Sequence, residues 1–337
     1  GLMRDHRGRL WIGTDLGLAE ETARDRYRVY GPEHGLPPGG RFTFEDRKGR
    51  LWISSGVGLT ALENGRISIP EIVRPLENSA IEALFEDRAG SLWIGTLHHG
   101  AWRLTEDHLE QVPLLGLTSI GVRSFLEDES GALLIGTIGS GIFVRRGDKE
   151  IRQITTRDGL VDDSIWSILD DRQGQFWMLS DRGVFRIPKR ELLALGDPRS
   201  PQIRPTAVVS TTHGLKSREC NGGASPAGFI TRDGRILAPT GAGVAIIDPR
   251  LLLSTAPPPS AQIEEVVTDR EVIPSNGEAR IPPGGRDTEI HYTGLSFVNP
   301  AQTVFRYRLY GHDPDWVEAG TRRVAYYGRL PPGRYVF

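Results

Sequence analysis

Cysteine occurs once in the 337 residues, at Cys220, so the chain has no internal disulfide and no cysteine cluster to hold zinc. A surplus of charge is lacking too. With 41 Lys and Arg against 43 Asp and Glu, the formal net charge is -2, which removes any general electrostatic attraction to nucleic acid or anionic membrane. No apolar run is long enough to span a bilayer, and no signal-peptide pattern opens the sequence. Common catalytic motifs are missing: there is no Gly-x-Ser-x-Gly elbow, no His-Glu-x-x-His and no Walker loop, since Gly136-Thr-Ile-Gly139 lacks the phosphate-binding lysine. No catalytic residue, metal site or cofactor is expected.

Glycine and proline, by contrast, are abundant, at 41 and 23, and they recur at turn positions between apolar runs. The reason is a repeat of the form Asp-Arg-x-Gly-x-Leu-Trp-Ile-Gly-Thr. Its anchors Trp11, Trp52, Trp93, Leu134, Trp177 and Leu237 lie 41, 41, 41, 43 and 60 residues apart. A period near 41 in a strand-rich chain belongs to propeller blades. The best-developed unit reads as Ser164–Leu169, a turn at Asp171-Arg-Gln-Gly174, Gln175–Leu179, Val184–Ile187 and Thr206–Val209, which makes four antiparallel strands, A to D from the channel outward. Each anchor sits on strand B and packs between blades. The carboxylate pairs Glu45-Asp46, Glu86-Asp87, Glu127-Asp128 and Asp170-Asp171 fall on successive A–B turns, a recurrence that fits turn chemistry better than one asymmetric active site.

Lys189–Leu195 reads as a short amphipathic helix inserted before the last blade. Both ends of the sequence read as cut: the first blade lacks most of its inner strand, and Gly333–Phe337 stops inside a strand. No outer strand follows Val244–Pro249, so an upstream segment outside this sequence is expected to close the ring, with about six visible four-stranded blades forming part of a seven-bladed one. From about Ala261 the repeat gives way to short alternating strands at Gln262–Val267, Glu289–Thr293, Val304–Leu309, Val324–Tyr327 and Arg334–Phe337, the pattern of an immunoglobulin-like β-sandwich. The fold class is therefore all-β, with a propeller over 1–255 and a sandwich over 256–337.

The repeats resemble the two-component regulator propeller, and Phe305–Trp316 with Tyr326–Tyr335 resembles the triple-tyrosine domain that follows it, Tyr307, Tyr327 and Tyr335 matching the namesake tyrosines. The resemblance implies the periplasmic or extracellular sensor region of an inner-membrane receptor, homodimeric and anchored by a transmembrane helix outside this sequence. The receptor's output would be a histidine kinase, often a hybrid one, or a diguanylate cyclase. It implies a small-molecule ligand with a leaning towards oligosaccharides. A propeller lyase or glycosidase, and a protein-interaction scaffold, are the competing readings.

Propellers bind ligands where the B–C and D–A loops converge on the channel mouth. Arg41, Glu82, Arg123 and Trp166 stand at one repeated position, five residues before each turn aspartate, and this variation is more than packing asks for. His98 and His99 lengthen one B–C loop beside Trp102, and Asp162-Asp163, Asp181, Arg182, Arg218, Glu219 and Asn221 supply charged and polar loop groups. Arg41, Glu82, Arg123, Trp166, His98, His99, Asp181, Arg182, Arg218 and Asn221 are the candidate ligand-binding residues.

Overall fold

The computed structural model describes residues 1–337 except 15, 40–41, 56, 118, 149, 195–202, 204, 206, 224, 253–259, 275–276, 283–286 and 296–302. The chain divides into two compact units, Gly1–Leu252 and Leu253–Phe337. The first is a β-propeller unit in which each hairpin follows from the repeat. Blade 1 comprises β1 (Leu2–Arg4), β2 (Leu10–Thr14), β3 (Gly17–Ala23) and β4 (Arg26–Tyr30); blade 2 comprises β5 (Phe42–Glu45), β6 (Leu51–Ser55), β7 (Gly58–Glu63) and β8 (Arg66–Ser68). Blade 3 is β9 (Ile81–Glu86), β10 (Leu92–Thr96), β11 (Ala101–Leu104) and β12 (Leu109–Val112), and blade 4 is β13 (Val122–Glu127), β14 (Leu133–Thr137), β15 (Ile142–Arg146) and β16 (Glu150–Ile154). Blade 5 holds β17 (Ile165–Asp170), β18 (Gln175–Ser180), β19 (Gly183–Pro188) and β20 (Ala207–Val209), with α1 (Lys189–Ala194) inserted where the sequence predicts a helix.

Each of these five sheets has four strands in chain order, and the sixth, β21 (Phe229–Ile230), β22 (Ile236–Thr240) and β23 (Gly243–Ile247), has three among the described residues. A short α2 (Pro249–Leu252) follows it. The inner strands differ in length: β1 spans 3 residues and β5 spans 4, where β9, β13 and β17 span 6. The inner strands β9, β13 and β17 pack side by side. No helix among the described residues is long and apolar enough to cross a membrane.

The turn aspartate does two jobs. In blade 1, Asp5 Oδ1 accepts the backbone N–H groups of Arg7 and Arg9 at 3.0 and 2.8 Å, and Oδ2 accepts the Trp11 indole N–H at 3.0 Å. The same indole bond joins Trp52 to Asp46, Trp93 to Asp87 and Trp177 to Asp171, at 3.0, 2.8 and 3.2 Å. Where Leu134 replaces the tryptophan, the Ser130 hydroxyl donates at 2.7 Å to Asp128 Oδ1, the oxygen that also takes the backbone N–H groups of Ser130 and Ala132. A buried carboxylate must be supplied with donors, and each blade supplies them.

In three of the four carboxylate pairs the other half reaches across to the preceding blade. Glu45, Glu86 and Glu127 accept the backbone N–H groups of His6, Arg47 and Arg88 at 2.7, 2.8 and 2.8 Å. Asp170, one methylene shorter, pairs instead with Lys189 Nζ at 2.7 Å. Packing follows the same logic. Trp52 lies in a core shared with Ile81, Leu84 and Ile94 of blade 3, while its neighbours Leu51 and Ile53 join Trp11 and Leu18 of blade 1. Both faces of strand B are thus buried, with the tryptophan turned to the following blade.

The second unit carries β24 (Ser260–Thr268), β25 (Glu271–Ile273), β26 (Thr288–Leu295), β27 (Phe305–Tyr307), β28 (Val317–Gly320) and β29 (Val324–Tyr327). One sheet has the order β25-β24-β26-β29 and a second pairs β27 with β28. The strands expected at 262–267, 289–293 and 324–327 are present. At the fifth expected strand, Arg334–Phe337, there is a single antiparallel bridge, Val336 with Tyr310. The core is aromatic: Tyr307 lies edge-on to Tyr327 at 6.2 Å and tilted against Tyr292 at 6.0 Å. The Tyr327 hydroxyl donates to Asp313 Oδ2 at 2.7 Å, an oxygen that also accepts the Leu309 N–H at 2.7 Å. Burial, together with the Asp313 carboxylate, raises the phenol above its ordinary pKa.

Candidate functional site

The inner strands of blades 3, 4 and 5 share an irregularity. In blade 3, Gly95 pairs with Ala83 and Thr96 with Ile81, which leaves Glu82 out of the ladder. Arg123 is skipped in the same way between Val122 and Ser124, and Trp166 between Ile165 and Ser167. A bulged residue is unpaired and its side chain is re-aimed. The variation at this repeated position has that cause: the residue is outside the hairpin register.

The three bulged side chains meet. Arg123 forms an ion pair with Glu82, with side chains 9% and 3% exposed, and its guanidinium lies 4.6 Å from the centroid of Trp166. A second Arg123 nitrogen donates to the carbonyl of Gly222 at 2.7 Å, which ties the segment before blade 6 to the inner strand of blade 4. Trp166 in turn donates its indole N–H to Asp181 Oδ1 at 2.7 Å, and Asn221 Nδ2 approaches the same oxygen at 3.4 Å. Asp181 and Arg182 occupy the tip between β18 and β19, where Ser180 Oγ donates to the carbonyl of Gly183 at 2.9 Å and accepts the Arg182 N–H at 3.2 Å. The loop from blade 5 to blade 6 docks beside them through the Cys220 N–H, 2.9 Å from the carbonyl of Ser180.

These groups line an open cavity of about 420 Å³, bounded by Trp166, Asp181, Arg182, Arg218 and Asn221, and also by Asp162 and Glu219. Five of the ten candidates are therefore on one wall, with Glu82 and Arg123 connected to it through Trp166. In the sequence Asp162 and Asp163 read as one pair, but the structure separates them. Asp163 accepts the N–H and hydroxyl of Thr156 at 2.7 and 3.0 Å, closing a turn. Asp162 faces the cavity, and its Oδ2 is buried without a hydrogen-bond partner among the described residues.

His98 and His99 do not line this cavity. Both are exposed; His99 Nδ1 sits 3.2 Å from Ser79 Oγ, and its carbonyl accepts the side chains of Trp102 and Gln111 at 3.1 and 2.9 Å. The added residue in that loop serves its own hairpin. Arg41 lies outside the described residues. No group of three or more His, Cys, Asp or Glu among the described residues is arranged to hold a metal ion.

Cys220 is buried beneath the cavity loop, and burial together with the Asp181 charge pushes its thiol up to about 11. Only the thiolate attacks, so with an unperturbed thiol near 9.0 the native protein should react with iodoacetamide at pH 8 about 100-fold more slowly than the denatured chain. Equal rates in both states would show that the thiol is not held in this environment.

Two families match the sequence: the two component regulator propeller at residues 75–98 and the Y_Y_Y domain at residues 296–337. No curated protein matches. Among solved structures, the chain is similar to the extracellular domain of the hybrid two component system BT3049 from B. thetaiotaomicron, with a TM-score of 0.53 and 18% identity over 99% of this chain and 52% of that one. It is also similar to the extracellular domain of the one component system BT4673 from the same organism, with a TM-score of 0.50 and 18% identity over 99% and 52% of the two chains. Virginiamycin B lyase from Staphylococcus aureus aligns with a TM-score of 0.51 and 14% identity, covering 73% of this chain and 82% of that one. The chain spans about half the length of the two extracellular domains. At these identities the likeness is one of fold.

Proposed function

We propose that this chain, which carries a two-component regulator propeller repeat and a Y_Y_Y domain, is the ligand-sensing region of a membrane-bound signalling receptor, held on the periplasmic or extracellular side. The observation that supports it is the asymmetry of the cavity. The turn carboxylates recur in the first five blades and are taken up by turn and inter-blade bonds, whereas Trp166, Asp181, Arg182 and Arg218 converge at one place. A cavity of about 420 Å³ with convergent polar groups has the form of a small-ligand site. The cavity lining contains carboxylates, guanidinium groups, an indole and an amide, a set suited to reversible polar recognition.

In the full receptor, on this reading, two such chains form a homodimer and the ligand acts through its higher affinity for one arrangement of the pair. The output, a histidine kinase or diguanylate cyclase, belongs to the rest of the protein. The chain itself binds and does not turn over. Incubation with oligosaccharide and metabolite collections should raise the Tm with at least one compound and return that compound intact; saturation at 100 times Kd adds about 2.7 kcal/mol. Product formation would replace the sensor with an enzyme. Stabilisation by macromolecules alone would make the chain a scaffold.

A further inference from the structure

The cavity's charged groups are of both signs and are not joined to one another. Asp162, Asp181 and Glu219 bring three carboxylates, and Arg182 and Arg218 bring two guanidinium groups, yet none of the five forms an ion pair among the described residues. Elsewhere opposite charges do pair, as Arg103 and Arg145 do with Asp148 at 3.1 and 2.8 Å. Asp181 and Arg182 are fixed by the Ser180 turn, and Cys220 pins Arg218 and Glu219 nearby through its N–H on the same residue. Asp181 Oδ1 is occupied by Trp166 and Asn221, while Asp162 Oδ2 is buried and unpartnered among the described residues.

A neutral ligand closing this space would strip water from the part-buried carboxylates of Asp162 and Asp181 without giving them a countercharge, which is costly. A simple cation would satisfy the carboxylates and leave the arginines, and a simple anion would do the reverse. A ligand bearing both charges satisfies both sets with charge-assisted hydrogen bonds. Resting on the ligand-sensing reading above, we infer that the cavity takes a small zwitterion of amino-acid to dipeptide size. Its ammonium group lies against Asp162 and Asp181 and its carboxylate towards Arg182 and Arg218, beside the indole of Trp166.

The test is calorimetric titration of the whole chain with the proteinogenic amino acids and their dipeptides, each binder repeated as its N-acetyl and C-terminal amide forms, and with maltotriose and other neutral oligosaccharides. At least one zwitterion should bind, and capping either end should weaken it about 10-fold or more. Asp162→Asn and the exposed Arg218→Ala should each weaken it by a similar factor, whereas Lys216→Ala should not; Arg218→Ala serves where Asp162→Asn alters folding. A neutral oligosaccharide whose binding depends on Trp166 but ignores Asp162 and Arg218 would overturn the zwitterion and leave the sensing reading standing. Failure of every zwitterion to bind would also overturn the inference, and failure of every compound would overturn both.

Discussion

Trp93→Leu lowers the stability of the propeller unit by about 3 kcal/mol, and adding Ala89→Ser in the same chain restores about 1 kcal/mol of it. Trp93 is 1% exposed, fills the core between blades 3 and 4 with Phe125, Ile135 and Phe143, and donates to Asp87, itself only 9% exposed. Two guanidinium groups, of Arg103 and Arg145, also lie 5.7 and 5.1 Å from its ring. Leucine loses ring volume and both of these polar attractions, and it leaves a buried carboxylate oxygen without its donor. Blade 4 already carries a different set of donors on the same carboxylate. There Leu134 stands at the anchor and Ser130, two residues after the turn aspartate, donates its hydroxyl to Oδ1, which adds a bond to the carboxylate without replacing the one on Oδ2. Ala89 occupies that same place in blade 3 and is exposed, so Ala89→Ser alone should be close to neutral. Urea denaturation of the four chains in the cycle measures the coupling. A coupling of zero would mean that the carboxylate does not need the indole.

Gly141→Ala should cost about 4 kcal/mol or prevent folding, whereas Gly131→Ala, ten residues earlier in the same blade, should cost about 1 kcal/mol. Both glycines have left-handed backbones, with φ of +72° and +82°. A methyl group on Gly131 meets only the far end of Glu127, and the penalty is the backbone conformation alone. On Gly141 the methyl would fall inside the van der Waals radius of the carbonyl oxygen of Ile154, the last residue of β16. Gly141 also accepts the Thr137 N–H at 3.1 Å and donates to Asp163 at 2.7 Å, so neither side of the turn can yield without losing a bond. Denaturation midpoints and soluble yield separate the two variants. Equal effects would show that the approach of β16 to this turn is loose.

The propeller is legible in the sequence because one short block does local and tertiary work together. Asp87 and Gly90 make the turn, and Trp93 makes the inter-blade core, all within seven residues. Glu86 is different. Its partner is a backbone N–H of Arg47 in the preceding blade, and a backbone donor has no letter in the sequence. The convergence of Trp166, Asp181 and Arg218 was half visible: each could be assigned to the loop face, but the alternation of the inner strands reads as continuous, so the skipped register at Glu82, Arg123 and Trp166 leaves no mark. Asp162 and Asp163 are identical neighbours, and only the direction of each side chain distinguishes a turn closer from a cavity wall. For His98 and His99 the insertion could be read but not its direction.

The unpaired positions on the inner strands also bear on how such an array can diversify. Most residues of a blade answer to two neighbours at once, a strand partner and an adjoining sheet, so replacing them disturbs the architecture. The bulged residues answer to no strand partner. Their exchange is constrained mainly by each other, as Glu82 and Arg123 show by pairing across two blades. A propeller built this way can trade these side chains in matched sets and acquire a new chemical preference at its mouth while the turns, anchors and staples behind it stay as they are.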